Sequence, residues 1–239
     1  MTSVKNSHVY YACTVQGAAV LDARPFRGRW RFMDPLSVEL WQAALDGTPV
    51  REAIDTVSRR IAAQKVVSVH RARRDLSAVG ADLNRARLIT PAREFADRPA
   101  PLVRFAIPPA PRAGAAAVTG LAVALVLLRC APLRWSIALA AAAARLPGRP
   151  ATAVEAEQVH AAVRRAARIW PGRAACLEES LATYLTAALT GRRCRWVLGA
   201  GFLPQSAHAW VEAAGCVVGQ AEQDRVWPYV RVLEVERSN

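Results

Sequence analysis

The sequence lacks the motifs that would assign it to several common classes of protein. It contains no GxxxxGK(S/T) phosphate loop, no CxxC pair and no Cys/His cluster at metal-ligand spacing. A P-loop nucleotide site and a zinc site are therefore not predicted, and no cofactor is expected. The five cysteines are odd in number and scattered, which argues against a disulfide framework. Residues 1–15 have no apolar segment behind a basic start, so no secretory signal is expected and the predicted location is a reducing cytoplasm.

Acidic residues are also scarce, and the formal net charge is +13. The positive surplus lies upstream of Ala174, because the chain from Ala174 onward carries six arginines against seven acidic residues. Upstream, the surplus is diffuse over residues 24–173, and arginine greatly exceeds lysine. Three explanations of this surplus are ranked. Solvated helix faces come first, binding of an acidic leader peptide or partner protein second, and binding of DNA third. Nucleic acid is therefore not the favoured partner.

The apolar runs are too short to span a bilayer. Residues 113–128 carry no charge, but sixteen residues fall short of the ~18–20 that a membrane-spanning helix needs. Together with residues 137–144 they predict two buried helices. Arginines flank both runs, and a basic, apolar-faced helix is also typical of peripheral membrane contact, which stays open as a second interpretation.

The first third of the sequence predicts a small domain of three strands followed by three helices. Turn residues separate three short β-prone runs at 9–15, 18–23 and 29–33. Asp34 is the predicted N-cap of a helix over 35–45, which begins with a proline. Two further helices are predicted, one after Thr48-Pro49 and one at about 69–86. This order of elements is typical of a small winged-helix domain.

A cysteine in the last third lies where a helix is expected to begin. The helical run at 177–189 ends at Gly191, and Pro171-Gly172 forbids an early start. Cys176 therefore falls in the first turn of that helix. Unpaired backbone N–H groups in the first turn favour a thiolate, and they can also stabilise an oxyanion.

A histidine follows on a predicted strand. Residues 194–202 and 207–213 are rich in Val and Trp and bounded by Gly, Pro and Ser, which predicts two short strands. His208 lies on the second and can pair beside the helix that carries Cys176. This arrangement is typical of papain-like nucleophilic catalysis. Cysteine and histidine alone leave a second interpretation open, in which both are structural residues of the core.

The sequence around this pair supplies a resemblance. Cys-Leu-Glu-Glu-Ser-Leu-Ala and, further on, Ala-His-Ala-Trp-Val-Glu closely resemble the B-protein family of lasso-peptide biosynthesis. Members of that family are transglutaminase-like cysteine proteases that remove the leader from a precursor peptide. The resemblance implies that Cys176 is the nucleophile and His208 the base. It also implies a partner, the asparagine-synthetase-like lasso cyclase, to which any ATP use belongs.

The third catalytic position departs from the family. An aspartate usually follows the histidine by twelve residues, and Gln220 stands at that position here. An aspartate orients the imidazole and stabilises the imidazolium, whereas a neutral amide only orients the ring. Gln220 is the candidate third member, with Glu222 and Asp224 as nearby alternatives.

The first third carries a second resemblance. Its sequence is similar to the PqqD-like peptide-recognition domain in three motifs, Gly-x-x-x-Leu-Asp, Trp-Arg-Phe-x-Asp and Leu-Asp-Gly. That likeness implies that the leader adds as an extra strand beside the third strand and packs on the third helix. The implied peptide-binding residues are Trp30, Arg31, Phe32, Met33, Leu76, Val79 and Leu83. The alternatives are that these are plain core residues, or that the winged helix binds DNA.

Together these patterns predict an α+β protein of two domains. A PqqD-like winged-helix domain is expected at residues 1–92, a Pro-rich linker at 93–112, and a papain/transglutaminase-like cysteine peptidase domain at 113–239. The predicted function is that of a leader peptidase in lasso peptide biosynthesis, acting on the precursor peptide. Two alternatives remain: acyl transfer to an amine by the same Cys–His pair, and a DNA-binding regulator with an inactive C-terminal domain.

Overall fold

The computed structural model describes residues 8–64, 68–89, 93–94, 114–219 and 229–236. These residues form two compact units. The described residues of 8–21 and 30–94 make up the N-terminal unit, and those of 22–29 and 114–236 make up the C-terminal unit. Most of the predicted linker lies outside the described residues.

The N-terminal unit combines one sheet with three helices. Its strands are β1 (Val9–Thr14), β2 (Gly17–Asp22), β3 (Arg29–Met33) and β4 (Arg93–Glu94). Its helices are α1 (Pro35–Leu45), α2 (Val50–Gln64) and α3 (Val69–Arg85). The sheet order is β3-β2-β1-β4, with β4 parallel to β1. The three predicted strands and three predicted helices are confirmed, while the winged-helix assignment stays a prediction.

Local chemistry explains where these elements begin and how they pack. Asp34 caps α1, because its Oδ1 accepts the backbone N–H groups of Leu36 and Ser37 at 2.9 and 3.1 Å. Trp41 is fully buried, and its Nε1 donates to the carbonyl oxygen of Leu88 at 3.0 Å. Tyr11 of β1 meets the Trp41 ring edge-on, with centroids 4.7 Å apart. The sheet, α1 and α3 therefore share one core that includes both rings, and α2 packs against α1 and α3 in a second cluster.

The C-terminal unit combines four helices with a second sheet. Its helices are α4 (Gly114–Cys130), α5 (Leu133–Ala143), α6 (Ala153–Ile169) and α7 (Cys176–Leu189). Two short strands, β5 (Arg149–Pro150) and β6 (Arg192–Arg193), pair in parallel. The remaining strands are β7 (Arg195–Phe202), β8 (Gln205–Ala213), β9 (Cys216–Val218) and β10 (Tyr229–Val235), in the antiparallel order β10-β7-β8-β9. The prediction that the protein mixes helices and sheets is confirmed.

Helix α7 is the centre of this unit. Residues 180–187 are all buried, as expected of a helix enclosed on every side. Gly120 of α4 lets the two backbones approach, since a Cβ there would lie 2.3 Å from Thr186 Oγ1. Tyr184 donates its hydroxyl to the carbonyl oxygen of Ala140 at 3.1 Å, and Trp196 Nε1 donates to Ser180 Oγ at 3.0 Å. These bonds hold α7 against α5 and against the sheet.

Helices α4 and α5 are the two apolar helices predicted from the sequence. Each buries one side, as Leu121 and Leu125 of α4 and Ile137 of α5 illustrate. Each also leaves apolar side chains exposed, among them Val126 and Trp135. Among the helices that the structure describes, none has the length and apolar character needed to cross a bilayer.

Candidate active site

Cys176 is the first residue of α7, as the sequence predicts, and it is partly buried. The N-cap residue, Ala175, has no side-chain acceptor, so the cap is closed by Glu178, whose Oε2 accepts the Ala175 N–H at 3.1 Å. The first-turn N–H groups of a helix have no partner within it. At the start of α7, next to Cys176, such groups can stabilise an oxyanion.

The loop that enters α7 is held from α4. Arg129 Nη2 donates to the carbonyl oxygen of Arg173 at 3.1 Å. The same guanidinium lies over the ring of Trp170, with Cζ 5.6 Å from the ring centroid. The segment directly before Cys176 is therefore attached to a helix of the core.

His208 lies on β8 among aromatic rings. Its ring is nearly parallel to that of Trp210, at 6.0 Å and 19°, and lies 5.3 Å from Tyr229. Gly199 of β7 pairs with His208 in the sheet register. A Cβ at Gly199 would lie 2.5 Å from Trp210 Cη2, so glycine is required for Trp210 to pack across the sheet beside His208.

A buried ion pair fixes Trp210 in turn. Trp210 Nε1 donates to Glu212 Oε1 at 2.8 Å. Arg231 Nη2 donates to both carboxylate oxygens of Glu212, at 2.8 and 3.0 Å. The side chains of Arg231 and Glu212 are 6% and 4% exposed, so both charges depend on this network for compensation.

Cys176 and His208 line one open cavity of about 380 Å³. The structure therefore brings together the two residues that the sequence pattern selected from different elements. Their roles as nucleophile and base stay predictions. The remaining lining residues are His160, Arg164, Arg173, Ala174, Ala175, Glu179, Ser180, Ala209, Trp210, Val211, Val218 and Gly219.

Sequence reasoning did not select the polar residues that α6 adds to this cavity. From the sequence, α6 is expected to place Val154, Val159 and Val163 on an inner side and Arg164, Arg165 and Arg168 on an outer side. Val159 and Val163 are buried as expected, but Glu157, His160 and Arg164 form a further, polar side of the helix. His160 Nδ1 lies 3.1 Å from Thr183 Oγ1 on α7, and Arg164 Nε lies 3.8 Å from Glu179 Oε2. The available signal was the i, i+3, i+7 spacing of three polar residues.

The electrostatics of this side of the cavity follow from burial. Burial, together with the positive charge of Arg164, lowers the pKa of His160 from 6.5 to about 4. Burial raises the pKa of Glu157, although the Gly219 N–H bonded to its carboxylate opposes that shift. Burial also raises the pKa of Glu179, with Arg164 acting in the opposite direction. At neutral pH His160 is therefore an uncharged imidazole.

Replacing His160 with glutamine is expected to reduce the acid sensitivity of folding. Between pH 6.5 and 4 the unfolded wild-type chain binds a proton at His160 that the folded protein excludes, so stability is complete above pH 6.5 and falls as the pH falls towards 4. The shift corresponds to roughly 3 kcal/mol. Urea unfolding of both proteins at pH 7.5 and 4.5 measures the loss of stability between these pH values. Because Glu157 and Glu179 are present in both proteins, their titration contributes to both losses. An equal loss of stability in wild type and His160→Gln would contradict the assignment.

The predicted peptide-binding residues fall into two groups. Trp30, Arg31 and Phe32 are partly buried on β3, which is an edge strand of its sheet in the described order. Val79 is partly buried on α3. The other three, Met33, Leu76 and Leu83, are 9%, 5% and 5% exposed and belong to the core of the unit.

Gln220, together with its alternatives Glu222 and Asp224, lies outside the described residues. The described chain stops short of it at Gly219, which lines the cavity. The assignment of Gln220 stays a prediction.

Comparison with known families agrees with the class of site. Residues 117–233 match the model of the Transglutaminase-like superfamily. The C-terminal part of the chain is therefore a transglutaminase-like domain, a class whose members are typically cysteine-based proteases or transferases. No curated protein and no solved structure was found to match the chain.

Proposed function

We propose that the protein is a cysteine peptidase that removes the leader from a lasso precursor peptide. The observation that carries the proposal is the meeting of Cys176 and His208 at one cavity within a transglutaminase-like domain. The quoted motifs around both residues resemble the lasso B-protein family and support the finer assignment.

The chemistry follows from the position of each group. The Cys176 thiolate attacks the carbonyl carbon at the leader–core junction, and the first-turn N–H groups of α7 stabilise the oxyanion. His208, which has taken the thiol proton, donates it to the leaving amine as the C–N bond breaks. The free core departs, and the leader remains attached to Cys176 as a thioester. Water, deprotonated by His208, then hydrolyses the thioester and releases the leader carboxylate.

The N-terminal unit supplies leader binding in this proposal. Edge strand β3 is suited to pairing with an extended peptide, which gives affinity through main-chain bonds. Trp30, Arg31, Phe32 and Val79 are the partly buried candidates for side-chain contacts. Binding the leader on one unit raises its local concentration at the peptidase unit. The freed core then passes to the asparagine-synthetase-like cyclase, and the proposed setting is the cytoplasm.

The transglutaminase-like match also fits a transferase, in which an amine replaces water. The two reactions differ in the product that carries the leader. Incubation of precursor and methylamine with the enzyme, followed by mass spectrometry, is expected to give leader with a free carboxylate and core with a free amine. Leader methylamide as the main product would replace the peptidase proposal with the transferase. An intact precursor would contradict both.

The matched substrate control is a precursor with a truncated leader that keeps only the few residues next to the leader–core junction. Because the proposal assigns leader binding to the N-terminal unit, adding the separate leader peptide should compete with cleavage of the full precursor. Equal cleavage of the full and the truncated-leader substrates would remove leader recognition from the proposal while retaining the peptidase chemistry.

A further inference from the structure

The polar side of α6 contacts two different parts of the active-site cavity. Three residues on this side, Glu157, His160 and Arg164, lie one to two turns apart. Apolar side chains would pack two helices at lower desolvation cost, so polar residues facing a neighbouring helix call for a specific role. The contacts of Glu157 and His160 indicate what that role is.

Glu157 holds the end of β9. Its Oε1 accepts the backbone N–H of Gly219 at 2.8 Å, across 62 residues of sequence. Val218, directly before Gly219, pairs with Val211 of β8. This bond therefore attaches α6 to the two strands that form the His208 side of the cavity.

His160 meets the same glycine and also reaches α7. A Cβ at Gly219 would lie 2.2 Å from His160 Nε2, and Gly219 has a φ of +74°, so both space and conformation demand glycine. On its other side, His160 Nδ1 lies 3.1 Å from Thr183 Oγ1. The Thr183 hydroxyl donates to the carbonyl oxygen of Glu179 at 2.8 Å, which leaves it an acceptor for the His160 Nδ1–H.

The two contacts link the elements that carry the catalytic pair. Cys176 and Thr183 are both on α7, seven residues apart and therefore on the same side of the helix. His208 is on β8, to which β9 and Gly219 are attached. We propose that Glu157 and His160 are positioning residues, which fix the distance between Cys176 and His208 by joining α7 to the end of β9. This inference rests on the proposed Cys–His chemistry.

Alkylation of Cys176 by iodoacetamide at pH 6 tests the positioning directly. A thiol reacts as its thiolate, and under the proposed function His208 takes the Cys176 proton, so the reaction rate at this pH reports the pairing of the two residues. The rate is measured by peptide mass spectrometry relative to Cys130, an exposed cysteine of the same molecule. Glu157→Leu removes the acceptor for Gly219 at similar volume, and Glu157→Gln keeps an oxygen acceptor. Arg168→Ala, which changes an exposed residue in the last turn of α6, is the control.

Glu157→Leu is expected to lower the relative Cys176 rate at least tenfold, because displacements of about 1 Å cost large factors in such reactions. Glu157→Gln should retain it within about threefold, and Arg168→Ala should leave it unchanged. Gly219→Ala should match Glu157→Leu, and it carries the test if the leucine variant does not fold. In precursor cleavage, kcat should fall in parallel with the alkylation rate while KM stays within about twofold.

Two outcomes would overturn the inference. One is a folded Glu157→Leu or Gly219→Ala protein with the wild-type rate at Cys176. The other is an equal loss in Glu157→Gln and Glu157→Leu, which would assign Glu157 a role other than accepting the Gly219 bond. If wild type alkylates as expected but leaves the precursor intact, the leader-peptidase proposal fails and the positioning inference stands.

Discussion

Replacing Cys176 with alanine is expected to lower the rate of precursor cleavage by about 10⁴-fold or more, because it removes the atom that forms the thioester. His208 and the first-turn N–H groups of α7 remain in this variant, so any residual rate reports catalysis that does not need the thiol. Single-turnover cleavage followed by mass spectrometry measures the loss. Leader binding, followed by fluorescence anisotropy of a labelled leader, should be unchanged.

Cys130→Ala is the matched control, since Cys130 is exposed and lies outside the cavity lining. That variant should cleave at the wild-type rate. Full precursor cleavage by Cys176→Ala would end the cysteine-peptidase account. An equal loss of cleavage in Cys130→Ala would mean that replacing any cysteine impairs the protein, and that the loss in Cys176→Ala does not report a nucleophile.

Replacing Glu212 with leucine is expected to cost about 3–5 kcal/mol of stability, the range for removing one partner of a buried ion pair. The Arg231 guanidinium would remain buried without its carboxylate, and Trp210 Nε1 would lose its acceptor. Urea unfolding at pH 7 measures the change. Cleavage should fall as well, because Trp210 packs against His208 and lines the cavity.

Two further variants make this prediction specific. Glu236→Gln removes an exposed partner of Arg195 and should cost less than about 1 kcal/mol. The double variant Glu212→Leu, Arg231→Met should recover much of the loss, because paired removal leaves no buried charge. A cost near 1 kcal/mol for Glu212→Leu alone would show that water reaches the pair in solution.

Local signals in the sequence were sufficient to predict the elements that carry Cys176 and His208. Pro171-Gly172 and Gly191 bound α7, so Cys176 falls at its start. Valine, tryptophan and turn residues mark β7 and β8, so His208 falls on a strand. Each of these signals operates within a few residues, and such features are readable without knowledge of the packing.

Features that depend on long-range packing were not predictable. The spacing of Glu157 and His160 indicates a polar side of α6, but their contacts exist only once α6 lies against α7 and the end of β9. The Glu212–Arg231 pair joins strands whose register the sequence does not specify. The parallel pairing of Tyr10 with Arg93 also depends on long-range packing, since these residues are far apart in the sequence of the N-terminal unit.

Trapping the covalent intermediate tests the central claim most directly. Acid quenching during precursor turnover, followed by proteolysis and mass spectrometry, is predicted to find the leader acyl group on the peptide that contains Cys176. The adduct should be released by hydroxylamine, as a thioester is, and should be missing when His208→Ala is used. Leader attached at another residue, or complete turnover with no acylated Cys176 at any time point, would contradict the account.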